Sequence, residues 1–410
     1  MSERVPDGWE ETNLSGLVSV DAESLKGNTN PEYKFKYIDI SCVSTGEVKP
    51  PSQHILFHNA PSRAKRIVRK NDVLVATVRP NLKAFAHFDE EGEDWIASTG
   101  FAVLRNKEQA DSRFIYNVML SDDVSRQIEK LVAGSNYPAI NSSDIKELSV
   151  LSPPLPEQKK IASILTSVDE VIENTQKQID KLQDLKKATM NELLTKGIGH
   201  TEFKDSELGR IPKSWGINEL GDYVKCQGGN AFPSSEFGKI GIPVVRISNI
   251  KNGLVDLSGC VHFSESEQFE RFIVFEGEIL LAMSGATTGK IGVYKAKSPA
   301  YLNQRVGRFR IEDKKNVDSA FLNHLVQSEI FADATLRDAI GGAQPNISSS
   351  QVESVIYAFP TLSEQKVIAS ILNSVDHKID VQNAKLNQTQ SLKKSLMQDL
   401  LTGKVRVQLN

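Results

Sequence analysis

Cysteine is scarce in this chain, and a surplus of positive charge is missing altogether. The 410 residues include only Cys42, Cys226 and Cys260. The number is odd and no two form a C-x-x-C pair, so a disulfide framework is not expected and a reducing cytoplasm is the natural setting. Net charge is -3, so the global basic signal common in free-standing nucleic-acid binders is lacking. No apolar run approaches the ~20 residues needed to span a bilayer. The opening Met1–Trp9 stretch lacks the apolar segment of a signal peptide. The seven histidines scatter; His54 and His58 have zinc-binding spacing but no glutamate after the first, so no metal site is expected. Hydrophobic content of 39% suffices for ordinary cores, and the length fits two or three domains.

What the chain does have is an internal repeat. Glu157-Gln158-Lys159-Lys160-Ile161-Ala162-Ser163-Ile164-Leu165 recurs as Glu364-Gln365-Lys366-Val367-Ile368-Ala369-Ser370-Ile371-Leu372, an offset of 207. From Glu157 to Thr195, 20 of 39 aligned positions are identical, far above chance. Each copy reads as a long helix. Ile161, Leu165, Val168, Ile172, Ile179 and Leu182 follow steps of three, four and seven and lay an apolar seam on one face; Ile368, Leu372, Val375, Ile379 and Leu386 do the same in the second copy. Thr175, Gln382 and Thr389 place polar groups in the seam, where such groups tend to fix register. Leu185, Thr189, Leu193 and Leu194 continue the first stripe less regularly. Pro156 sits where a first helical turn tolerates it, Thr361-Leu362-Ser363-Glu364 has capping-box spacing, and Gly197 and Gly403 stand where helices close. Each helix is expected to run ~40 residues, ~60 Å. Two matched seams in one chain can bury each other as an antiparallel pair.

The remaining segments, roughly 1–150 and 203–357, echo each other more faintly. Val5-Pro6-Asp7-Gly8-Trp9 matches Ile211-Pro212-Lys213-Ser214-Trp215, Asn71–Ala76 matches Gly277–Ala282, and Gly134 with Pro138-Ala139-Ile140 matches Gly341 with Pro345-Asn346-Ile347. Short β-like runs mix with helical stretches at Phe114–Leu131 and Ala320–Ile340. The expected fold is α+β, with boundaries at 1–152 (first globular domain), 153–198 (central helix), 199–359 (second globular domain) and 360–410 (C-terminal helix).

Motifs for chemistry fail on inspection. Gly285-Ala286-Thr287-Thr288-Gly289-Lys290-Ile291 is one residue short of a phosphate loop, and Ile291 stands where a magnesium-binding hydroxyl is needed. Ser152-Pro153-Pro154-Leu155 lacks the aromatic that a base-flipping methyltransferase stacks on its target, and reads as the lead-in to a helix. No nucleophile–base or carboxylate pair stands out. The chain therefore reads as a recognition or scaffold protein, not an enzyme. Local basic clusters supply candidate phosphate contacts: Arg63, Lys65, Arg66, Arg69 and Lys70, with Arg79 and Lys83 beyond the next strand, and Lys290, Arg305 and Arg308, with Arg310, in the second half. The acidic run Asp89-Glu90-Glu91 with Glu93-Asp94 can balance such a face.

Taken together, the paired helix starts (Pro154–Gln158 and Thr361–Gln365), the helix ends (Leu193–Gly197 and Leu400–Lys404) and the two Pro-x-x-Trp domain openings resemble the specificity subunit of type I restriction–modification enzymes. The resemblance spans essentially the whole chain. It implies two target recognition domains, each reading half of a split DNA site, joined by two antiparallel coiled-coil spacer helices that fix the gap. It further implies two adenine methyltransferase subunits as partners, with restriction/translocase subunits added to them. S-adenosylmethionine, ATP and magnesium would sit on those partners and not on this chain. The competing reading is a coiled-coil adaptor joining two protein-binding domains.

Overall fold

A computed structural model describes residues 5–132, 138–336 and 346–409. Gly134, Gly341 and Pro345 of the faint repeat lie outside the described residues. The two long helices run Leu155–Lys196 and Leu362–Leu401. Packing divides the chain into two compact units, Met1–Lys177 with Ala384–Asn410, and Gln178–Asn383. Each unit therefore holds one globular segment, the first half of the helix that follows it and the second half of the other helix.

Unit 1 is built on two four-stranded sheets. One runs Ile55–Leu56, Lys34–Ile38, Trp95–Ser98, Ala64–Val68, with the middle pair parallel. The other runs Val18–Val20, Phe101–Asn106, Val73–Ala76, Phe85–His87, all antiparallel. Val73–Ala76 is buried on both faces, which is why it reads as an uninterrupted apolar run rather than an alternating one. Unit 2 repeats the plan with a six-stranded sheet containing Val224–Gly228, Val306–Ile311 and Ile279–Ala282, and a four-stranded sheet containing Ile242–Val245 and Ala300–Leu302. Glu10–Asn13 pairs with Ser149–Ser152 in unit 1, as Gly216–Glu219 pairs with Ile356–Phe359 in unit 2. These ribbons tie the start of each globular segment to its end.

Each of the two helical stretches expected in the globular segments holds two helices. Ser112–Leu120 and Asp122–Val132 break at Ser121, whose hydroxyl accepts from Val124 N (3.3 Å) and so starts a new helix. Ser319–Val326 and Glu329–Leu336 break the same way at Ser328. A serine can satisfy a free backbone N–H and therefore competes with helix continuation. Residues 337–340 of the expected helix lie outside the described residues.

The seam residues pack as the apolar stripe requires. Ile161, Leu165, Ile179, Ile368, Leu372 and Val375 are buried, and Val168, Ile172, Leu182, Ile379 and Leu386 are half-buried. Leu185 departs from the stripe: it is 52% exposed, as is its counterpart Leu392 at 53%. Ile161, Ala162 and Leu165 join one continuous core with Leu400 and Leu401 in unit 1. Leu194 joins Ile368, Ala369 and Leu372 in unit 2.

The polar seam residues do not set the register by pairing across it. Thr175 and Thr389 return their hydroxyls to the carbonyls of Val171 (2.7 Å) and Lys385 (2.8 Å), four residues back on their own helix. Ion pairs bridge the helices instead: Asp169–Lys393 in unit 1 and Lys186–Asp376 in unit 2, both 2.6 Å. These are one contact made twice, related by the 207-residue offset of the repeat. In unit 1 the early Glu157 meets the late Arg406 and the later Asp169 meets the earlier Lys393, so the two segments run antiparallel. Lys186–Asp376 and His200–Glu364 show the same order in unit 2.

Candidate nucleic-acid interface

Strand register defines two ends in each unit. In unit 1, Ala64, Ser98, Phe101 and Ala76 end their strands together, and Val68, Trp95, Leu104 and Val73 do so at the other end. The first end carries three loops. Thr77 bridges two of them: its N–H and its hydroxyl both donate to Gly100 O, at 2.8 and 2.9 Å. Arg63 O accepts from Thr99 N (2.8 Å), and Ile140 N donates to Thr77 O (2.9 Å). Unit 2 has the same end. Met283 N donates to Arg305 O (3.0 Å), and Ile347 N donates to Met283 O (2.8 Å).

This geometry sorts the basic candidates. Arg63 and Arg79 belong to the first end and are exposed; Lys83 is half-buried there, its Nζ on Leu120 O at 3.1 Å. Lys65, two residues on from Arg63 and within the strand, is exposed. Lys290 and Arg305 are exposed at the matching end of unit 2. Arg69 and Lys70 lie at the opposite end, about 20 Å from Arg63 at ~3.3 Å per residue. There the acidic run meets them: Arg69 pairs with Glu23 (2.9 Å) and Glu93 (3.3 Å), and Lys70 with Glu91. The hydrogen bond from Arg69 is the largest influence lowering the Glu23 carboxyl below its ordinary value, and Glu23 in turn raises Arg69. Arg66 is half-buried, 3.0 Å from Asp21.

Arg308 is not a surface contact at all. It is 6% exposed and donates to Glu278, Ile273 O, Gln227 and Arg271 O. Its two terminal nitrogens find partners inside, as burial demands, and stitch the sheet to the Glu267–Phe272 turn, while its buried Nε has none. One sequence shows charge but not its partners, which is why Arg66, Arg69, Lys70 and Arg308 look equivalent to Arg63 until folded.

The two histidines of the zinc-like spacing diverge. His54 Nε2 is 2.6 Å from Asp94, and His58 Nδ1 is 2.9 Å from Pro31 O. Among the described residues no three His, Cys, Asp or Glu side chains gather in a way that could hold a metal ion. No helix among them is long and apolar enough to cross a membrane. The Gly285–Ile291 stretch folds as a short 3₁₀ turn, Gly285–Thr287, leading into a strand.

The repeated Glu-Gln pair has a role that sequence spacing did not reveal. Trp9 Nε1 donates to Glu157 Oε2, and Trp215 Nε1 to Glu364 Oε2, each at 3.1 Å. Gln158 Oε1 accepts from Asp111 N (2.9 Å) while its Nε2 donates to Pro153 O (2.9 Å) and Gln109 O (3.2 Å). Gln365 repeats this with Asp318 N (2.9 Å), Pro360 O (3.0 Å) and Asn316 O (2.8 Å). The pair thus clamps each long helix to its globular segment. The expected capping box at Thr361 is only half formed: Glu364 N reaches Thr361 Oγ1 at 3.4 Å, but the Glu364 carboxylate is taken by Trp215, Ile198 N (3.0 Å) and His200 (2.7 Å). In unit 1 the Glu157 carboxylate has Arg406 beside Trp9 as its partner, gripping it with two bonds of 2.7 and 2.8 Å. The helix-closing glycines have positive φ, and they fit against these clamps. A Cβ on Gly403 (φ +68) would meet Pro6 at 2.5 Å, and one on Gly197 (φ +65) would meet Trp215 at 2.7 Å.

The sequence profile of the type I restriction modification DNA specificity domain matches twice, over residues 6–184 and 212–390. The chain belongs to that family. It is 33% identical over 98% of its length, and 94% of the relative's, to the type I restriction enzyme MjaVIII specificity subunit of Methanocaldococcus jannaschii. Among solved structures it resembles a chain from work on complex assembly and conformational transition of the type I R-M system. There the identity is 21%, the TM-score 0.64, and the coverage 98% of this chain and 100% of that one. It also resembles the type I restriction-modification S subunit of M. genitalium, with 15% identity, a TM-score of 0.59, and 98% and 97% coverage. In this specificity-family chain the two profile matches each hold one globular segment and most of the helix that follows, so the duplication read from Glu157 and Glu364 extends to the whole architecture.

Proposed function

We propose that this chain is the DNA-specificity subunit of a type I restriction–modification complex and has no catalytic step of its own. Each unit reads one half of a bipartite site through the loop end that carries Arg63, Arg79 and Lys83 in unit 1 and Lys290 and Arg305 in unit 2. The exposed cations of those ends meet phosphates, and neighbouring loops meet base edges. The observation that carries this reading is the double repeat, two recognition-sized units on one pair of helices, in a chain of the specificity family. A split target is read best by two modules at a set separation, because half-site spacing then becomes geometry. The bound first module also raises the effective concentration of the second.

Two adenine methyltransferase subunits are the partners that supply chemistry, with restriction/translocase subunits joining them. S-adenosylmethionine, ATP and magnesium belong to those subunits. The site is asymmetric because the two globular segments differ in sequence, and the complex works on cytoplasmic DNA. Footprinting of the chain together with its modification subunits tests the reading. Two protected blocks of different sequence separated by a constant spacer are expected; protection of a single block, or none, would contradict it.

A further inference from the structure

The turn between Ala76 and Phe85 in unit 1 is held in a conformation its residues do not favour. Arg79 and Lys83 both have left-handed backbones, φ 49° and 50°. The repeat-related turn in unit 2 has the same bend, but there the two positions are Gly285 (φ 74°) and Gly289 (φ 83°). The equivalence is close: Ala76 N–Ala84 O recurs as Ala282 N–Lys290 O, and Leu82 N–Arg79 O as Thr288 N–Gly285 O, all at an offset of 206. Glycine takes this backbone freely, whereas arginine and lysine pay a steric penalty in it. Such strain persists only where surrounding contacts enforce it, and it concentrates at functional sites.

Those contacts are present. Arg79 N donates to Pro138 O (2.8 Å), Thr45 Oγ1 donates to Lys83 O (2.7 Å), and Lys83 Nζ reaches Leu120 O (3.1 Å). This bracing holds a tip, Pro80-Asn81-Leu82, with Leu82 64% exposed. Unit 2 has Ala286-Thr287-Thr288 at the same place, with no large apolar side chain. A leucine held out to solvent on a braced turn, at the same loop end as the exposed Arg63 and Arg79, calls for an apolar partner embedded in an anionic one.

We propose that Leu82 is a base-reading residue of unit 1, packing against the 5-methyl group of a thymine in the half-site that this unit recognises. The proposal rests on the reading of unit 1 as a DNA recognition domain. Thymine is the base that offers an apolar group on the major-groove edge, and the arginines of the same loop end match the flanking phosphates. The hydroxyl-bearing tip of unit 2 reads its half-site by different chemistry, so the two halves differ at the equivalent position.

The test is sequencing of methylated adenines in cells carrying the full chain with its modification subunits, as wild type, Leu82→Ala and Leu82→Ile. Wild type fixes the bipartite motif. Leu82→Ala is expected to relax preference for one T·A pair in one half-site, on the order of tenfold, with the other half-site and the spacer unchanged; Leu82→Ile retains the preference. Because the side chain is exposed, the variant folds, and co-purification with the modification subunits verifies that. An unchanged motif, an equal loss at both half-sites, or loss of the modification subunits on Leu82→Ala would each overturn the proposal. Absence of a bipartite motif in the wild type would instead overturn the functional reading beneath it.

Discussion

At the scale of single residues, the clamp at the start of each long helix shows how a short repeated word acquires meaning only through distant partners. Gln158 is 1% exposed, and its amide offers one acceptor and two donors to backbone groups that would otherwise be buried unpaired. Gln158→Glu sets a carboxylate against two carbonyl oxygens and is expected to destabilise the protein by about 2–4 kcal/mol, more than Gln158→Ala. Urea midpoints of the three proteins check this; an equal or smaller loss for the glutamate would contradict donation from the Gln158 amide to those carbonyls. Two buried histidines set a pH dependence. Burial lowers the His324 imidazole below its ordinary 6.5, and His87 likewise. Such a group binds its proton more readily when unfolded, so stability is complete above about pH 6.5 and falls as the pH drops through the window below it. His324→Gln is expected to flatten that fall in thermal unfolding between pH 7 and 5. Glu157 and Gln158 were visible in sequence as part of a repeat, but their roles were not. Trp9 lies 148 residues from Glu157, and no periodicity connects positions that far apart.

At the scale of elements, the apolar seam was legible because a helix face imposes its own spacing on the sequence, and Ile161 and Leu165 obey it. Leu185 did not follow, since exposure at one helix position depends on what the tertiary structure places opposite. The register was also not legible: threonines within the seam bond to their own helices, while Asp169–Lys393 and Lys186–Asp376 do the bridging. A double-mutant cycle on Lys186 and Asp376 is expected to give a coupling of about 0.5–1 kcal/mol, modest because the Asp376 carboxylate is partly solvated. Reversing both charges is expected to recover part of the loss, which charge reversal at one partner alone does not. The basic clusters failed as a unit for an equally physical reason. A five-residue strand, Ala64–Val68, separates Arg63 from Arg69 and delivers them to opposite ends of the same sheet, one free of the acidic run and one against it. Inserting four residues, about one helical turn, into both long helices is expected to lengthen the preferred spacer between half-sites; methylation at the original spacing would sink the ruler role.

At the scale of the whole molecule, a net charge of -3 has to be reconciled with a DNA target. The exposed cations of the two loop ends are few, so the chain alone is expected to bind duplex DNA weakly and with a shallow salt dependence. The complex with modification subunits should bind tightly and with a steeper slope, because more phosphates are neutralised. Equilibrium binding from about 50 to 200 mM salt measures both slopes; equal slopes would mean that the partners add no phosphate contacts. The overall plan of two α+β segments on two helices was readable from the 207-residue repeat. The loop that reads each half-site was not, because recognition surfaces consist of irregular turns with no period. The central claim is that this chain confers a two-part sequence preference on methylation performed by others. The measurement that tests it most directly is sequencing of N6-methyladenine in a host expressing the partner methyltransferase with and without this chain. The account predicts a new bipartite, asymmetric motif only when the chain is present. An unchanged methylome, with both proteins confirmed soluble and associated, would contradict it.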